Sequence, residues 1–198
     1  MKTINLTDEQ FEQVQDSVQS NDNPASKEHV GFVIYDKLGH VLFESTKETV
    51  KEAVEEAVEQ EVSLKSANLR FANLKSANLD SANLKSANLE SANLKSADLE
   101  SANLESANLK SADLESADLE SANLKSADLE SADLRFANLK SANLRFANLK
   151  SANLKSANLR SANLESANLR FAKTAYAKVD FSPAEKEQAK QWAEGLDR

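Results

Sequence analysis

Few residues in this chain have the types and spacing that chemistry needs. Neither of its two histidines, His29 and His40, has a second ligand at metal-binding spacing, so both read as surface residues rather than ligands or bases. The absence of cysteine removes thiolate metal sites, disulfides and cysteine nucleophiles together. Serines are numerous but recur at one repeated position with no base beside them, and an alcohol without a base is not an activated nucleophile. With three glycines in all there is no phosphate-cradling loop, and no nucleophile elbow occurs. What is left is charge, 32 acidic against 24 basic side chains. That inventory suits recognition; no enzyme activity, cofactor or metal is expected.

The charge is unevenly placed. Residues 1–62 hold 5 basic and 14 acidic side chains, whereas residues 63–170 hold 14 and 13, so the long middle of the chain is nearly neutral. Met1 to Leu6 runs straight into Asp8 and Glu9, with no apolar signal core or membrane span, and a cytoplasmic location away from membranes is expected.

The middle of the chain is repetitive. From Leu64 to Leu169 a leucine stands at every fifth position, and from Ala67 to Ala177 an alanine recurs at the same interval, two residues before the leucine in units such as Ala67-Asn68-Leu69 and Ala117-Asp118-Leu119. A period of five matches neither the helix nor the strand period, so a continuous element of either kind would scatter these leucines around its surface. A chain that turns regularly buries them all. Alanine and leucine two apart share one face of an extended segment, and the other three residues form the corner.

The units, A(N/D)LXX over roughly 118 residues from Ser63 to Asp180, resemble the pentapeptide-repeat family. The resemblance implies a mainly β fold, a right-handed quadrilateral β-helix with four units per turn and about six coils, leucine and alanine pointing inward. Open coil ends need covering, because unpaired edges invite stacking.

Three segments follow: residues 1-62 as a small α-β-β-α module ending in a helix, residues 63-181 as the β-helix, and residues 182-198 as a C-terminal capping helix. In the first, Leu6 and the capping box Thr7-Asp8-Glu9-Gln10 open a helix carrying Phe11, Val14 and Val18. Val30 to Tyr35 and Val41 to Glu44 read as strands, and Val50, Val54, Ala57, Val58 and Val62 mark an amphipathic helix. In the last, Ser182-Pro183-Ala184-Glu185 is a capping box, with Trp192 and Leu196 facing either the final coil or a second subunit.

With four units per turn, residues twenty apart stack. Arg70, Glu90, Lys110, Glu130, Lys150 and Arg170 then alternate in sign and are expected to pair along the coil. Asp80, Glu100 and Glu120, with Asp98 and Asp118, stack like charges instead and are the candidate partner-binding face, ahead of Lys140 and Arg160. With Glu105, Asp113, Glu115, Asp128, Glu130 and Asp133 they make an acidic middle belt. From Arg135 to Arg160 no acid interrupts Lys140, Arg145, Lys150 and Lys155, but these point to four sides, so direct nucleic-acid binding is not expected. Phe71, Phe136, Phe146 and Phe171 replace serine at the corner, on different sides, as isolated packing.

The function expected is a non-enzymatic interaction module, a rigid rod presenting charged faces and an N-terminal module to a protein partner. The family resemblance also implies an alternative, a DNA mimic that inhibits or protects DNA gyrase, with homodimerisation through the C-terminal helix. Against it, the repeat sums to a charge of only +1 and carries no inserted loop.

Overall fold

The computed structural model describes residues 31–180. The N-terminal helix expected around Phe11, His29, and the C-terminal helix with Trp192 and Leu196 lie outside the described residues.

The fold begins with a turn at every fifth residue. Each leucine carbonyl accepts a hydrogen bond from the alanine N–H three residues on, as between Leu114 and Ala117 at 3.0 Å. The residue before that alanine has positive φ, 59° at Ser116, and serine, phenylalanine or tyrosine holds this conformation at every unit from Ser66 to Tyr176. A hydrogen-bonded four-residue turn with its third residue left-handed is the type II pattern, for which glycine is the low-cost choice. A residue with a Cβ costs about 1 to 2 kcal/mol more there. Local hydrogen bonds offset this: the Asn or Asp of each unit accepts from the N–H two residues on, as Asp118 Oδ1 does from Glu120 N–H at 2.9 Å. Both residue types offer that oxygen, which explains why either occupies the position.

Between successive turns three backbone hydrogen bonds recur per unit. Leu119 N–H donates to the Asn138 carbonyl at 2.7 Å, Asn138 N–H to Ala117 at 3.0 Å and Ser116 N–H to Arg135 at 2.8 Å. All inter-turn bridges are parallel and twenty residues apart, as in Asp118↔Asn138. Four five-residue units therefore complete each turn, and the chain builds four columns, running through Asn68, Asn73, Asn78 and Asn83. Inside, every repeat leucine from Leu74 to Leu154 is completely buried beside its alanine. Each such leucine contributes about 2 kcal/mol of hydrophobic stabilisation.

Upstream, β1 (Val33–Tyr35) and β2 (Val41–Glu44) form an antiparallel hairpin. Its turn uses Gly39 at φ 86°, and Asp36 Oδ1 accepts the N–H groups of Leu38 and His40. Gly31 lies so close to the Ser45 carbonyl that a Cβ would stand 1.5 Å from its oxygen, so no larger residue fits there. Helix α1 (Val50–Glu59) starts at Thr49, whose hydroxyl accepts the Glu52 N–H at 3.2 Å and donates to the Glu52 carboxylate at 2.8 Å. Its buried Ala53, Val54 and Ala57, with Ile34 of β1, share one core with the first leucines of the repeat.

Hairpin and helix close the upstream edge of the coil. Asn68 N–H donates to the Tyr35 carbonyl at 2.8 Å, Lys37 N–H to Ser66 at 3.1 Å, and Asn78 N–H to Glu55 Oε1 of α1 at 2.8 Å. Backbone groups that would otherwise template another strand are thereby occupied. At the downstream end Leu159 and Leu164 remain buried, Leu169 and Val179 are half-buried, and Thr174 stands exposed where the unit pattern has leucine.

Candidate functional surface

The outward side chains of the four columns differ in how completely their charges are matched. Along the Asn68 column the alternating series does pair: Arg70 with Glu90 at 3.1 Å, Lys110 with Asp128 at 3.3 Å and Glu130 at 3.7 Å, Lys150 with Glu130 at 2.9 Å. Hydrogen bonds from Lys150 hold the Glu130 carboxyl below the usual Glu range, and Asp128 raises the Lys110 ammonium. On the Asn83 column Lys85 meets Glu105 at 2.9 Å and Arg145 meets Glu165 at 2.8 Å.

The Asn73 column brings together Asp113, Glu115 and Asp133, with carboxylate oxygens close enough to share a cation. The protein's own cations take that place. Arg135 Nη2 lies 2.8 Å from Glu115 and 2.7 Å from Asp133, and Lys95 Nζ lies 3.0 Å from Glu115. Burial pushes the Asp133 carboxyl up, but hydrogen bonds from Arg135 outweigh it and leave Asp133 below the usual range. The acidic middle belt read from the sequence thus divides among columns, and most of it is neutralised within them.

The Asn78 column is different. Its bridges stack Asn78, Asp98, Asp118, Asn138, Asn158 and Lys178. Two residues on from each stand Asp80, Glu100, Glu120, Lys140, Arg160 and Asp180. The five predicted acids therefore lie on one column, with Asp80, Asp98 and Glu100 exposed and Asp118 and Glu120 partly exposed. Glu120 alone of them has a cation, Lys140, at 2.6 Å. Hydrogen bonds from Lys140, then from Asn138, keep the Glu120 carboxyl below the usual Glu range, and Glu120 in turn raises Lys140. Among the described residues no lysine or arginine lies within 4 Å of Asp80, Asp98, Glu100 or Asp118. Among the described residues of the repeat, Asp113 on the Asn73 column and Asp180 at the end of this one share that condition.

Side-chain amides form a second ladder. Asn138 Nδ2 donates to Asp118 Oδ1 at 3.0 Å, and Asn158 Nδ2 to Asn138 Oδ1 at 3.1 Å. Asp118 has no N–H to pass on to Asp98, so the ladder stops where the acids stack. Sequence reasoning missed this ladder, although the recurrence of Asn at intervals of twenty was its signal.

One expectation needs correction. Phe71 and Phe171 do not fall on different sides: both follow the Asn68 column, one hundred residues and hence five turns apart. Arg70, Arg145 and Arg170 lie over the rings of Phe71, Phe146 and Phe171 at 4.4, 4.7 and 4.7 Å, so these aromatics seat guanidinium groups at the corners. The basic run from Arg135 to Arg160 is also less available than its sequence suggests, since Arg135, Lys140, Arg145 and Lys150 pair with acids one turn away. His40 hydrogen-bonds Asp36 at 2.9 Å within the hairpin turn, which lowers the Asp36 pKa.

No described helix is long and apolar enough to cross a membrane. A family model described as pentapeptide repeats matches residues 63–100, 97–135 and 137–173. No curated protein matches the chain. Among solved structures, the pentapeptide repeat protein Rfr23 from the cyanobacterium Cyanothece 51142 is 39% identical over 49% of this chain and 67% of its own, with a TM-score of 0.48. HetL from the cyanobacterium Nostoc sp. strain PCC 7120, involved in heterocyst differentiation regulation, is 36% identical over 56% of each chain, with a TM-score of 0.34. This chain therefore spans little more than half of HetL. Full-length QnrB1, a plasmid-mediated fluoroquinolone resistance protein, is 16% identical over 65% of this chain and 84% of its own, with a TM-score of 0.27.

Proposed function

This chain belongs to the pentapeptide-repeat family, and on that premise we propose that it is a non-enzymatic protein-interaction module, a right-handed quadrilateral β-helix that displays the acids of its Asn78 column to a macromolecular partner. The repeat over residues 63–181 serves as the rod, and the cytoplasm as its place of work. The observation that carries this reading is the contrast in pairing. The other columns match nearly all their carboxylates with cations, whereas Asp80, Asp98, Glu100 and Asp118 stand on one column without any. Stacked like charges destabilise the coil that bears them, and a basic partner surface would relieve that repulsion.

The test keeps the full chain and removes only charge. A variant carrying Asp98→Asn, Glu100→Gln and Asp118→Asn, used as bait beside the native protein in bacterial lysate, is expected to lose a partner that the native protein retains. Identical captures by both baits would sink the proposal. The alternative, mimicry of DNA toward DNA gyrase, fits less well. Duplex DNA carries one negative charge per ~1.7 Å of axis, and three of the four columns here are largely neutralised. Inhibition or protection in a gyrase supercoiling assay at micromolar protein would reverse that order.

A further inference from the structure

The same column that begins acidic ends basic, and its charges are arranged in a self-complementary order. Reading one turn at a time, the residues two after each bridge are Asp80, Glu100, Glu120, Lys140, Arg160 and Asp180, with Asp98, Asp118 and Lys178 in the bridge positions. Consider a two-fold axis lying in this face, parallel to its extended segments and midway between the turns of Glu120 and Lys140. Two copies related by it run antiparallel and meet face to face. Glu120 of each then opposes Lys140 of the other, and Glu100 opposes Arg160. The outermost rung sets Asp80 against Asp180, a like pair, with Lys178 beside it in the bridge position. We propose that this face is an antiparallel homodimer interface, with a second copy of the chain as its occupant.

Three observations favour this column over the others. Its charges are segregated by sign along the coil; the alternating Asn68 column would also oppose Lys110 to Glu130 and Glu90 to Lys150 under the same operation, but those groups are already paired within the chain. The Asn73 column would set Lys95 against Lys155. Its end charges are also unspent, because Glu100 and Arg160 have no oppositely charged partner within 4 Å among the described residues, while Glu120 and Lys140 pair with each other at the centre. A symmetric interface requires one patch to complement itself, and the four inner turns of this face, from Glu100 to Arg160, do so. Six rungs at ~4.8 Å make it roughly 29 Å long. One column of that length is small beside the ~800 Å² per partner of a standard interface. The dimer is therefore weak, held by charge, and sensitive to salt.

This inference rests on reading the Asn78 column as an interaction surface, but its failure is distinguishable from failure of that reading. Sedimentation velocity of the full-length protein at about 200 µM is expected to show dimer in about 20 mM salt and an association at least about tenfold weaker in about 300 mM salt, where exposed charges are screened. Glu100→Arg and Arg160→Glu, each placing like charges opposite one another, are expected to give monomer under the low-salt condition. Combining them in one chain restores opposition of unlike charges and is expected to restore the dimer. Circular dichroism confirms that each variant keeps its fold. A native protein that stays monomeric at low salt, or a double variant that fails to recover, overturns the inference. Neither outcome touches the capture of a different protein by the acidic residues, which the charge-removal variant decides.

Discussion

Glu120 and Lys140, twenty residues apart in sequence, meet at 2.6 Å across neighbouring turns of the coil. The contact marks the boundary on the Asn78 column between the acidic turns and the basic ones. Above it Asp98 and Asp118 stack directly through a parallel bridge. Below it the amide ladder resumes through Asn138 and Asn158. One column thus holds a stabilised half and a half whose charges oppose the packing of their own backbone.

That contrast predicts that the acids cost stability. Asp118→Asn removes one of two stacked charges and supplies an amide N–H toward Asp98, while keeping the oxygen that accepts from Asn138 and Glu120. The variant should be more stable by about 0.5 kcal/mol, and the double variant with Asp98→Asn by more, read as a higher denaturation midpoint. A loss of stability would show that the stacked acids are not in conflict.

Core truncations should be graded along the coil. Leu119 is completely buried in the middle turns, while Leu164 retains 6% exposure near the downstream end. Leu119→Ala is expected to cost about 3 kcal/mol and Leu164→Ala clearly less, because an end turn has one neighbour and a middle turn two. Equal losses in urea titrations would contradict stability built from neighbouring turns.

At the corner, Ser116 has φ 59°. Asparagine tolerates that region, whereas a β-branched residue there is strained. Ser116→Asn should change stability little, and Ser116→Val should lower it by about 2 kcal/mol. If valine proves as stable as asparagine in thermal melts, the left-handed turn is not a constraint on sequence.

The ion-pair ladders fix the sign of the pH response. Glu105, Glu120 and Glu130 have lowered pKa values because Lys85, Lys140 and Lys150 hydrogen-bond them. A lowered folded-state pKa means stability that is present above the unfolded value, about 4.3 for Glu, and lost as pH falls through the folded value. Lys110 and Lys140 are raised by their carboxylate partners, so their contribution is present below the unfolded value and lost as pH rises through the folded one. The melting temperature should therefore fall below about pH 4 and again in strong alkali, with both limbs shallower in about 1 M salt. A melting temperature that rises on acidification would contradict the ladders.

Glu55 ties helix α1 to the first turn by accepting the Asn78 N–H at 2.8 Å. Glu55→Ala should cost about 1 kcal/mol and speed hydrogen exchange at the Asn78 amide, while the Asn138 amide, bonded to Ala117 in the middle of the coil, stays protected. Unchanged exchange at Asn78 would place the closure of that edge elsewhere.

The repeat was legible in the sequence because its two core residues recur without interruption: a leucine every five residues has one way to be buried throughout, and the inward Leu119 and Ala117 follow from it. The alternating series from Arg70 was legible because the family resemblance implied four units per turn, and a period of twenty then names each neighbour in advance. Pairs that cross between positions within a unit were not. Lys110 reaches Asp128 and Arg135 reaches Asp133 because side-chain length and direction decide those contacts, and spacing does not encode them. The closure of the first turn by Glu55 was hidden too, since Glu55 belongs to a helix outside the repeat and its partner is a backbone N–H.

The central claim is that one column of the four carries the interaction. Its most direct test compares captures by the native chain, by the Asp98→Asn, Glu100→Gln, Asp118→Asn variant, and by a variant neutralising the Asn68 column through Glu90→Gln and Glu130→Gln. The partner is expected to be lost only with the first variant, because Glu90 and Glu130 are already held by Arg70, Lys110 and Lys150. Equal loss with both variants, or none with either, would contradict it.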